Sequence, residues 1–273
     1  MPELPEVETI KNEISRRVVG QTITRISVTD AKLVAPVPVG EFCRGLEGQS
    51  IESIKRRGKY LLFNLSGKET LVMHFRMTGS LELSTGKAAQ PARHTRATIF
   101  FANNTCLAFN DPRRFGTMRL IKNEDFLENK LGPEPLSEDF TASFLAQKLR
   151  QRSIFIKAAL LDQGVLAGMG NMYTDEALFD ARIHPEKRAN SLTDGEIEAL
   201  HHSIRKVLSA AIDKKGASVN TYVRPGGERG TAQLGFNVAH RKGQTCPVCG
   251  TQIERIKLGG RGTYFCPRCQ PEY

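Results

Sequence analysis

Leu131-Gly132-Pro133-Glu134-Pro135 divides this 273-residue chain into a strand-rich part and a helical part. Its two prolines oppose helix and strand alike. Before it, short segments rich in Ile, Val, Leu, Phe and Thr are separated by Gly, Asn and Asp turns, a pattern typical of a sandwich or barrel. These segments predict strands over Thr22–Val28, Ser50–Leu65, Thr70–Met77, Ala97–Asn103, Thr105–Phe109 and Gly116–Ile121.

Helical periodicity flanks the strands on both sides. Apolar residues recur at helical spacing from Val7 to Val18, which predicts a helix over 3–19 that Gly20 ends. After the prolines the pattern predicts four helices: one capped by Ser137 or Asp139 and running to about Gln151, then Ser153–Gln163, Asn171–Ala181 with Asn171 as its N-cap, and a long helix from a capping box at Thr193 to Lys215.

Composition indicates a basic, non-membrane protein. The 39 Lys and Arg against 29 Asp and Glu give a net charge of +10. This charge favours a polyanionic partner such as nucleic acid, although a merely soluble basic protein is the alternative. No apolar run of about 18 residues and no secretory signal is evident, so we expect a cytoplasmic monomer.

Four cysteines near the C-terminus have the spacing of a metal site. Cys246 and Cys249 form one CxxC pair, and Cys266 and Cys269 form a second. The spacing predicts one structural Zn²⁺ held by four thiolates, with disulfides as the alternative in an oxidising compartment. The hairpin between the pairs would present Arg261 to a DNA groove or to another acidic partner. Cys43 and Cys106 are isolated and are expected to be buried free thiols.

The N-terminus combines an amine with nearby carboxylates. Removal of Met1 would leave Pro2 with a free secondary amine, which can attack carbonyl carbon and form a Schiff base. Glu3 and Glu6 could then transfer protons. The alternative is an ordinary helix start, where proline and acidic residues are both favoured.

A glycine-rich turn precedes Asn171. The glycines at 164, 168 and 170 would let another molecule approach the backbone, and the following helix N-terminus would suit a phosphate. A purely steric reason for these glycines is the alternative.

In this order the motifs resemble the bacterial formamidopyrimidine-DNA glycosylase family. The resemblance rests on the start from Pro2 to Thr9, Arg57–Tyr60, Asp111–Gly116, Leu131–Pro135, Gly170–Tyr173 and Gly260–Gln270, and it covers residues 2 to about 270. It implies an α+β multidomain fold. The parts would be an N-terminal helix and β-sandwich domain at 2–122, a linker at 123–136, a helix-two-turn-helix domain at 137–235 and a four-cysteine zinc finger at 236–270.

The resemblance also implies a reaction on damaged double-stranded DNA. The family excises oxidised purines, 8-oxoguanine and formamidopyrimidines, and cleaves the strand by β,δ-elimination through a Schiff base on Pro2. By analogy Glu3 is the proton donor and Glu6 supports it. Lys59, expected on a strand, would assist β-elimination and Arg261 would assist δ-elimination, each beside a phosphate.

Further DNA contacts are implied at His94, Asn171 and Arg152. Met77, Arg113 and Phe115 match the residues that fill the gap left by an extruded nucleotide, although the sequence alone would favour core packing for Met77 and Phe115. The chain departs from the family pattern at Asn220, at Ala239-His240 and around Arg93–Arg96. A related enzyme acting on oxidised pyrimidines and a non-enzymatic zinc-bearing DNA-binding protein are the rival interpretations.

Overall fold

A computed structural model of the protein describes residues 1–86, 92–122, 125–219 and 221–272, without the side chain of residue 126. The departure at Asn220 therefore lies outside the described residues. The chain forms two compact units, one of residues 1–128 and 214–233 and one of 129–213 and 234–273. The predicted boundaries at 122, 136 and 235 remain a prediction; the compact units divide the chain differently, because 214–233 groups with the N-terminal part.

The first unit is a β-sandwich with a helix packed on it. Its described residues form eight strands: β1 Ile23–Val28, β2 Ile51–Arg57, β3 Tyr60–Leu65, β4 Thr70–His74, β5 Ser80–Thr85, β6 Thr95–Phe101, β7 Thr105–Asn110 and β8 Thr117–Ile121. They form two antiparallel sheets, in the order β1-β6-β7-β5 and β2-β3-β4-β8. Side chains from both sheets meet in one apolar core. The expected α+β sandwich is confirmed.

Helix α1 spans Leu4–Val18 and contributes its apolar stripe, Val7, Ile10, Ile14 and Val18, to that core. The remaining helices of this unit are α2, Val39–Leu46, and α3, Asp125–Glu128. Neither α2 nor β5 was expected from the sequence. None of the helices in the described residues is long and apolar enough to cross a membrane.

Two of the predicted strands are wrong in extent. Ser50–Leu65 is not one strand but the hairpin β2–β3, because Gly58 has a φ of +55° and reverses the chain. Lys59 therefore lies in a turn and not on a strand. Strand β4 ends at His74, because Arg76 has a φ of +51° and leaves the extended conformation before Met77.

The second unit contains four helices: α4 Ala142–Arg150, α5 Ile156–Leu161, α6 Asn171–Asp180 and α7 Asp194–Asp213. The predicted caps at Ser137 or Asp139 are wrong, because the Thr141 hydroxyl accepts the Phe144 N–H at 3.1 Å and caps α4. Gly170, not Asn171, is the N-cap of α6. The capping box at Thr193 is confirmed, since its hydroxyl accepts the Glu196 N–H and its own N–H donates to the Glu196 carboxylate.

The last element is a two-stranded hairpin, β9 Glu254–Leu258 and β10 Arg261–Phe265. Gly259 and Gly260 form its turn with φ values of +54° and +79°, which a side chain would strain. Phe179 of α6 packs with Val238, Ile253 and two of the cysteines, so the small cysteine-bearing end has a core of its own on this helix.

Candidate functional site

The amino end of the chain is buried with two carboxylates beside it. Pro2 is buried, and Glu3 and Glu6 are 2% and 1% exposed. The Glu3 N–H donates to Glu6 Oε2 at 2.7 Å, and the Ala217 N–H donates to Glu6 Oε1 at 2.8 Å. Each oxygen of Glu6 is thus held by a backbone amide, so its carboxylate fixes the first turn of α1 in one orientation.

These surroundings favour a neutral amine. Burial lowers the pKa of the α-amino group of Met1, Lys59 lowers it further, and Glu3 and Glu6 oppose the shift. In this chain the amine belongs to Met1, and the Pro2 nitrogen is an amide. Removal of Met1 would move the amine by one residue, to the buried position beside Glu3.

Lys59 and a neutral histidine, His74, are the next two groups of this region. Lys59 is 7% exposed in the β2–β3 turn. Burial lowers the pKa of His74 to about 3, with smaller contributions from Arg76 and Lys59, so its imidazole is neutral at physiological pH. His74 Nδ1 accepts the Arg76 N–H at 3.1 Å, and its ring packs edge-on against Tyr60. Sequence reasoning missed His74; the signal was a titratable residue ending the apolar run Leu71-Val72-Met73.

Three of the predicted DNA-contacting side chains are exposed on two loops of the same unit. Met77 is 44% exposed and Phe115 is 50% exposed, so the alternative that they are core residues is wrong. The Arg113 guanidinium lies 4.7 Å from the centre of the Phe115 ring. His94 is half-buried just before β6, and its backbone oxygen accepts the Asp111 N–H at 2.9 Å.

The second unit brings Asn171 to the hairpin that carries Arg261. Asn171 Nδ2 donates to the Gly262 oxygen at 2.8 Å, so its side chain holds the hairpin and does not cap α6. Lys157 Nζ donates to Thr263 Oγ1 at 2.9 Å and lies 2.7 Å from Asp175, and both members of this ion pair are fully buried. Burial raises the pKa of Asp175 to about 7, while Lys157 opposes the shift. Arg261 itself is exposed.

The predicted phosphate turn is internally braced. Gln163 Nε2 donates to the Met169 oxygen and its Oε1 accepts the Gly168 N–H, both at 2.9 Å. Gly168 has a φ of +86°, which the turn requires. Arg152, another predicted DNA contact, lies before α5 with its guanidinium 2.9 Å from Asp162, and one third of its side chain is exposed.

The four cysteines fit a tetrahedral zinc ion. All four sulfur atoms lie within 4.8 Å of one another, with Cys246–Cys269 at 3.8 Å and Cys249–Cys266 at 3.4 Å. A Zn–S bond of about 2.3 Å gives a sulfur–sulfur distance of about 3.8 Å in a tetrahedron. None of the four forms a disulfide. Cys106 is buried as expected and Cys43 is half-buried; burial raises the pKa of both thiols, which makes them poor nucleophiles.

Three family descriptions match the chain: "Formamidopyrimidine-DNA glycosylase N-terminal domain" over residues 1–118, "Formamidopyrimidine-DNA glycosylase H2TH domain" over 131–223, and "Zinc finger found in FPG and IleRS" over 243–271. The last match includes all four cysteines, so the protein has one structural zinc site.

Relatives match over the full length. The formamidopyrimidine-DNA glycosylases of Halalkalibacterium halodurans and Chloroflexus aurantiacus are each 45% identical, covering 99% of this chain and 100% and 98% of their own. A Lactococcus lactis Fpg structure in complex with abasic-site-containing DNA has a TM-score of 0.93 at 41% identity, and one with Fapy-dG-containing DNA has 0.92 at 40%. Both cover 99% of this chain and 100% of the solved chain. The chain belongs to the formamidopyrimidine-DNA glycosylase family.

Proposed function

We propose that this protein removes oxidised purines from duplex DNA and then cleaves the abasic strand through a Schiff base on Pro2. The observation that carries the proposal is the amino end, where Pro2, Glu3 and Glu6 are all buried and the Glu6 carboxylate accepts the Glu3 N–H. Family membership gives the enzyme class, a DNA glycosylase with lyase activity. The residue roles are those that the family resemblance implies, and the burial of Glu3 and the two backbone contacts of Glu6 support them.

The first step is displacement of the damaged base. With Met1 removed, the lone pair of the Pro2 nitrogen attacks C1′ of the sugar, the N-glycosidic bond breaks and the base leaves with the bonding electrons. Glu3 protonates O4′ as the sugar ring opens, and loss of the amine proton gives an iminium. Glu6 keeps this end of α1 in place, because both of its oxygens are occupied by backbone amides.

Elimination then cleaves the strand. The iminium acidifies the C2′ proton, so its loss breaks the C3′–O bond, and a second elimination from C4′ breaks the C5′–O bond. Lys59 and Arg261 are the proposed proton donors to these two steps, each beside a phosphate. Asn171, Arg152 and His94 would contact other parts of the DNA backbone, which positions the strand without reading its sequence.

Zinc has a supporting role in this proposal. Its four protein ligands leave no open position, so the ion would hold the β9–β10 hairpin in shape and not take part in the reaction. Four thiolates persist in a reducing compartment, which supports a cytoplasmic location. We propose that the protein acts on damaged DNA as a monomer.

Borohydride trapping tests the proposal. Purified protein is mixed with duplexes carrying 8-oxoguanine, an oxidised pyrimidine or an abasic site, borohydride is added, and mass spectrometry locates the crosslink. We expect a covalent complex on Pro2 with 8-oxoguanine and with the abasic site. No complex with any substrate would contradict the enzyme assignment, and trapping with the oxidised pyrimidine in place of 8-oxoguanine would favour the related specificity.

Two variants on one helix supply the control. Glu3→Gln should lower excision of 8-oxoguanine by at least about 100-fold, the size typical of a lost general acid. Glu8→Gln removes a carboxylate that instead pairs with Lys11 and Arg56, and it should retain activity. Equal activities of the two variants would argue against Glu3 as the proton donor.

A further inference from the structure

Two loops of the first unit meet at one buried carboxylate. Asp111 is 1% exposed, although residues 112–115, which follow it, are all exposed. Its Oδ2 accepts the Phe115 N–H at 2.8 Å and the Gly116 N–H at 2.7 Å. Asp111 therefore closes the loop that carries Arg113 and Phe115 at both of its ends.

The other oxygen of Asp111 holds the second loop. Its Oδ1 accepts the Thr78 hydroxyl proton, and the Arg113 N–H lies 3.3 Å from both Oδ1 and Thr78 Oγ1. Thr78 directly follows Met77. A single carboxylate thus joins the loop of Met77 to the loop of Arg113, through the Thr78 hydroxyl.

Packing beneath the loops reinforces this connection. A side chain at Gly79 would come within 3.0 Å of the Phe109 ring, and one at Gly116 within 2.6 Å of the same ring. Phe109 is fully buried and stacks on Phe75. The two loops therefore both pack closely against the edge of one buried aromatic ring.

Arg114 points away from this assembly. It has a φ of +60°, and its guanidinium pairs with Asp30, with Nη2 at 2.8 Å from Oδ1. Arg114 is thus held by an ion pair, although half of its side chain is exposed, whereas Arg113 and Phe115 stack on each other, as noted above. Together with Met77, these two are the residues that, by the family resemblance, fill the gap left by an extruded nucleotide.

We infer that Asp111 and Thr78 are positioning residues that set Met77 against Arg113 and Phe115, so that the three side chains enter the DNA stack as one preformed wedge. The inference rests on the proposed function. A hydroxyl that donates to a carboxylate forms a strong hydrogen bond, and a preformed wedge does not have to be ordered when it enters the DNA. Loss of the hydrogen bond between Thr78 and Asp111 should therefore disfavour the step in which the damaged nucleotide leaves the stack.

Thr78 offers a matched pair of variants. Thr78→Val keeps the shape and removes the hydroxyl, whereas Thr78→Ser keeps the hydroxyl. We expect Thr78→Val to lower kcat/KM on an 8-oxoguanine duplex by about tenfold, as for loss of one charge-assisted hydrogen bond, and Thr78→Ser to stay close to the unmodified protein. Wild-type activity of Thr78→Val would overturn the inference.

A double-mutant cycle separates positioning from a general structural role. If Thr78 acts by placing Met77, then Met77→Ala should lower kcat/KM less in the Thr78→Val protein than in the unmodified one. The reason is that the effects of substitutions at coupled residues do not add. Additive losses would overturn the inference, and so would a Met77→Ala protein of full activity. A wild-type protein that forms no trapped complex would instead refute the proposed function, and the inference with it.

Discussion

Replacement of Glu176 by Gln tests how the helical unit holds its cysteine-bearing end. Glu176 lies on α6 and is 3% exposed. Its carboxylate accepts the backbone N–H groups of Asn237, Val238 and Ala239 at 2.8–3.0 Å, and Oε2 also accepts Asn237 Nδ2 at 3.1 Å. Three successive amides of the segment that leads to the zinc ligands are thus satisfied by one side chain.

The loss of stability follows from the hydrogen-bond donor for which a glutamine side chain offers no acceptor. One amide oxygen can still accept the protons from Val238 and Ala239, but the new NH₂ group faces the Asn237 side-chain donor and leaves it without an acceptor. A buried donor without an acceptor costs about 1–3 kcal/mol, and because Asn237 is half-buried the lower end of this range, about 1–2 kcal/mol, applies. We therefore expect Glu176→Gln to lower the thermal midpoint of the zinc-loaded protein by roughly 2–6 °C.

Calorimetry and zinc release measure the two consequences. The midpoint should fall, and a chromogenic chelator should remove zinc faster, because the segment before Cys246 is held less firmly. Asp180→Asn on the same helix is the control. Asp180 pairs with the exposed Lys206 and accepts the Ser203 hydroxyl. The asparagine oxygen can still accept that hydroxyl, so the substitution removes a surface ion pair, which contributes only about 0.2–1 kcal/mol. If Glu176→Gln matched Asp180→Asn in both assays, the reasoning would be refuted.

Two further predictions concern salt and pH. Arg261→Ala should reduce the slope of log K against log salt for DNA binding by about 0.9, because one phosphate contact is lost; an unchanged slope in a titration by fluorescence anisotropy would reject that contact. The raised pKa of Asp175 means that the folded protein keeps this proton when the unfolded chain has lost it. This carboxyl should therefore lower stability as pH rises from about 4 towards about 7, and Asp175→Asn should flatten that dependence in urea titrations; an unaltered profile would contradict the assignment.

Short-range signals in the sequence predicted the parts of the fold that depend on neighbouring residues. The stripe from Val7 to Val18 forms α1, the Thr193–Glu196 capping box starts α7, and the two CxxC pairs meet at one metal site. Each of these depends on side chains a few residues apart or on metal-ligand chemistry that is nearly independent of the fold.

The wrongly predicted ends of helices and strands lie where the local sequence fits more than one conformation. Ser137, Asp139 and Thr141 are all acceptable N-caps, and only the geometry of the preceding turn selects Thr141. The reversal at Gly58 was hidden because an isolated glycine inside a strand pattern fits a bulge as well as a turn. β5 escaped notice because it is largely polar and pairs on one side with β7.

The partners of three buried carboxylates could not be found in this way, although Glu6 itself was named from the sequence. Glu6 meets Ala217, Glu176 meets Val238, and Asp111 meets Thr78. The residues next to each acid in the sequence do not indicate its partner, because the amides or hydroxyls that bind a buried carboxylate come close to it only in the folded chain. The resemblance identified the candidate site residues, but not the residues that hold them.

The bond between Glu6 and the Ala217 N–H joins residues 211 positions apart, and it has a consequence for biosynthesis. The ribosome delivers the amino end first, and Ala217 emerges only when about four fifths of the chain has been made. Until then the first turn of α1 lacks this partner and stays open to processing enzymes. An aminopeptidase that removes Met1 would therefore have its best access on the nascent chain. The Pro2 amine would then be free before the site around it has folded.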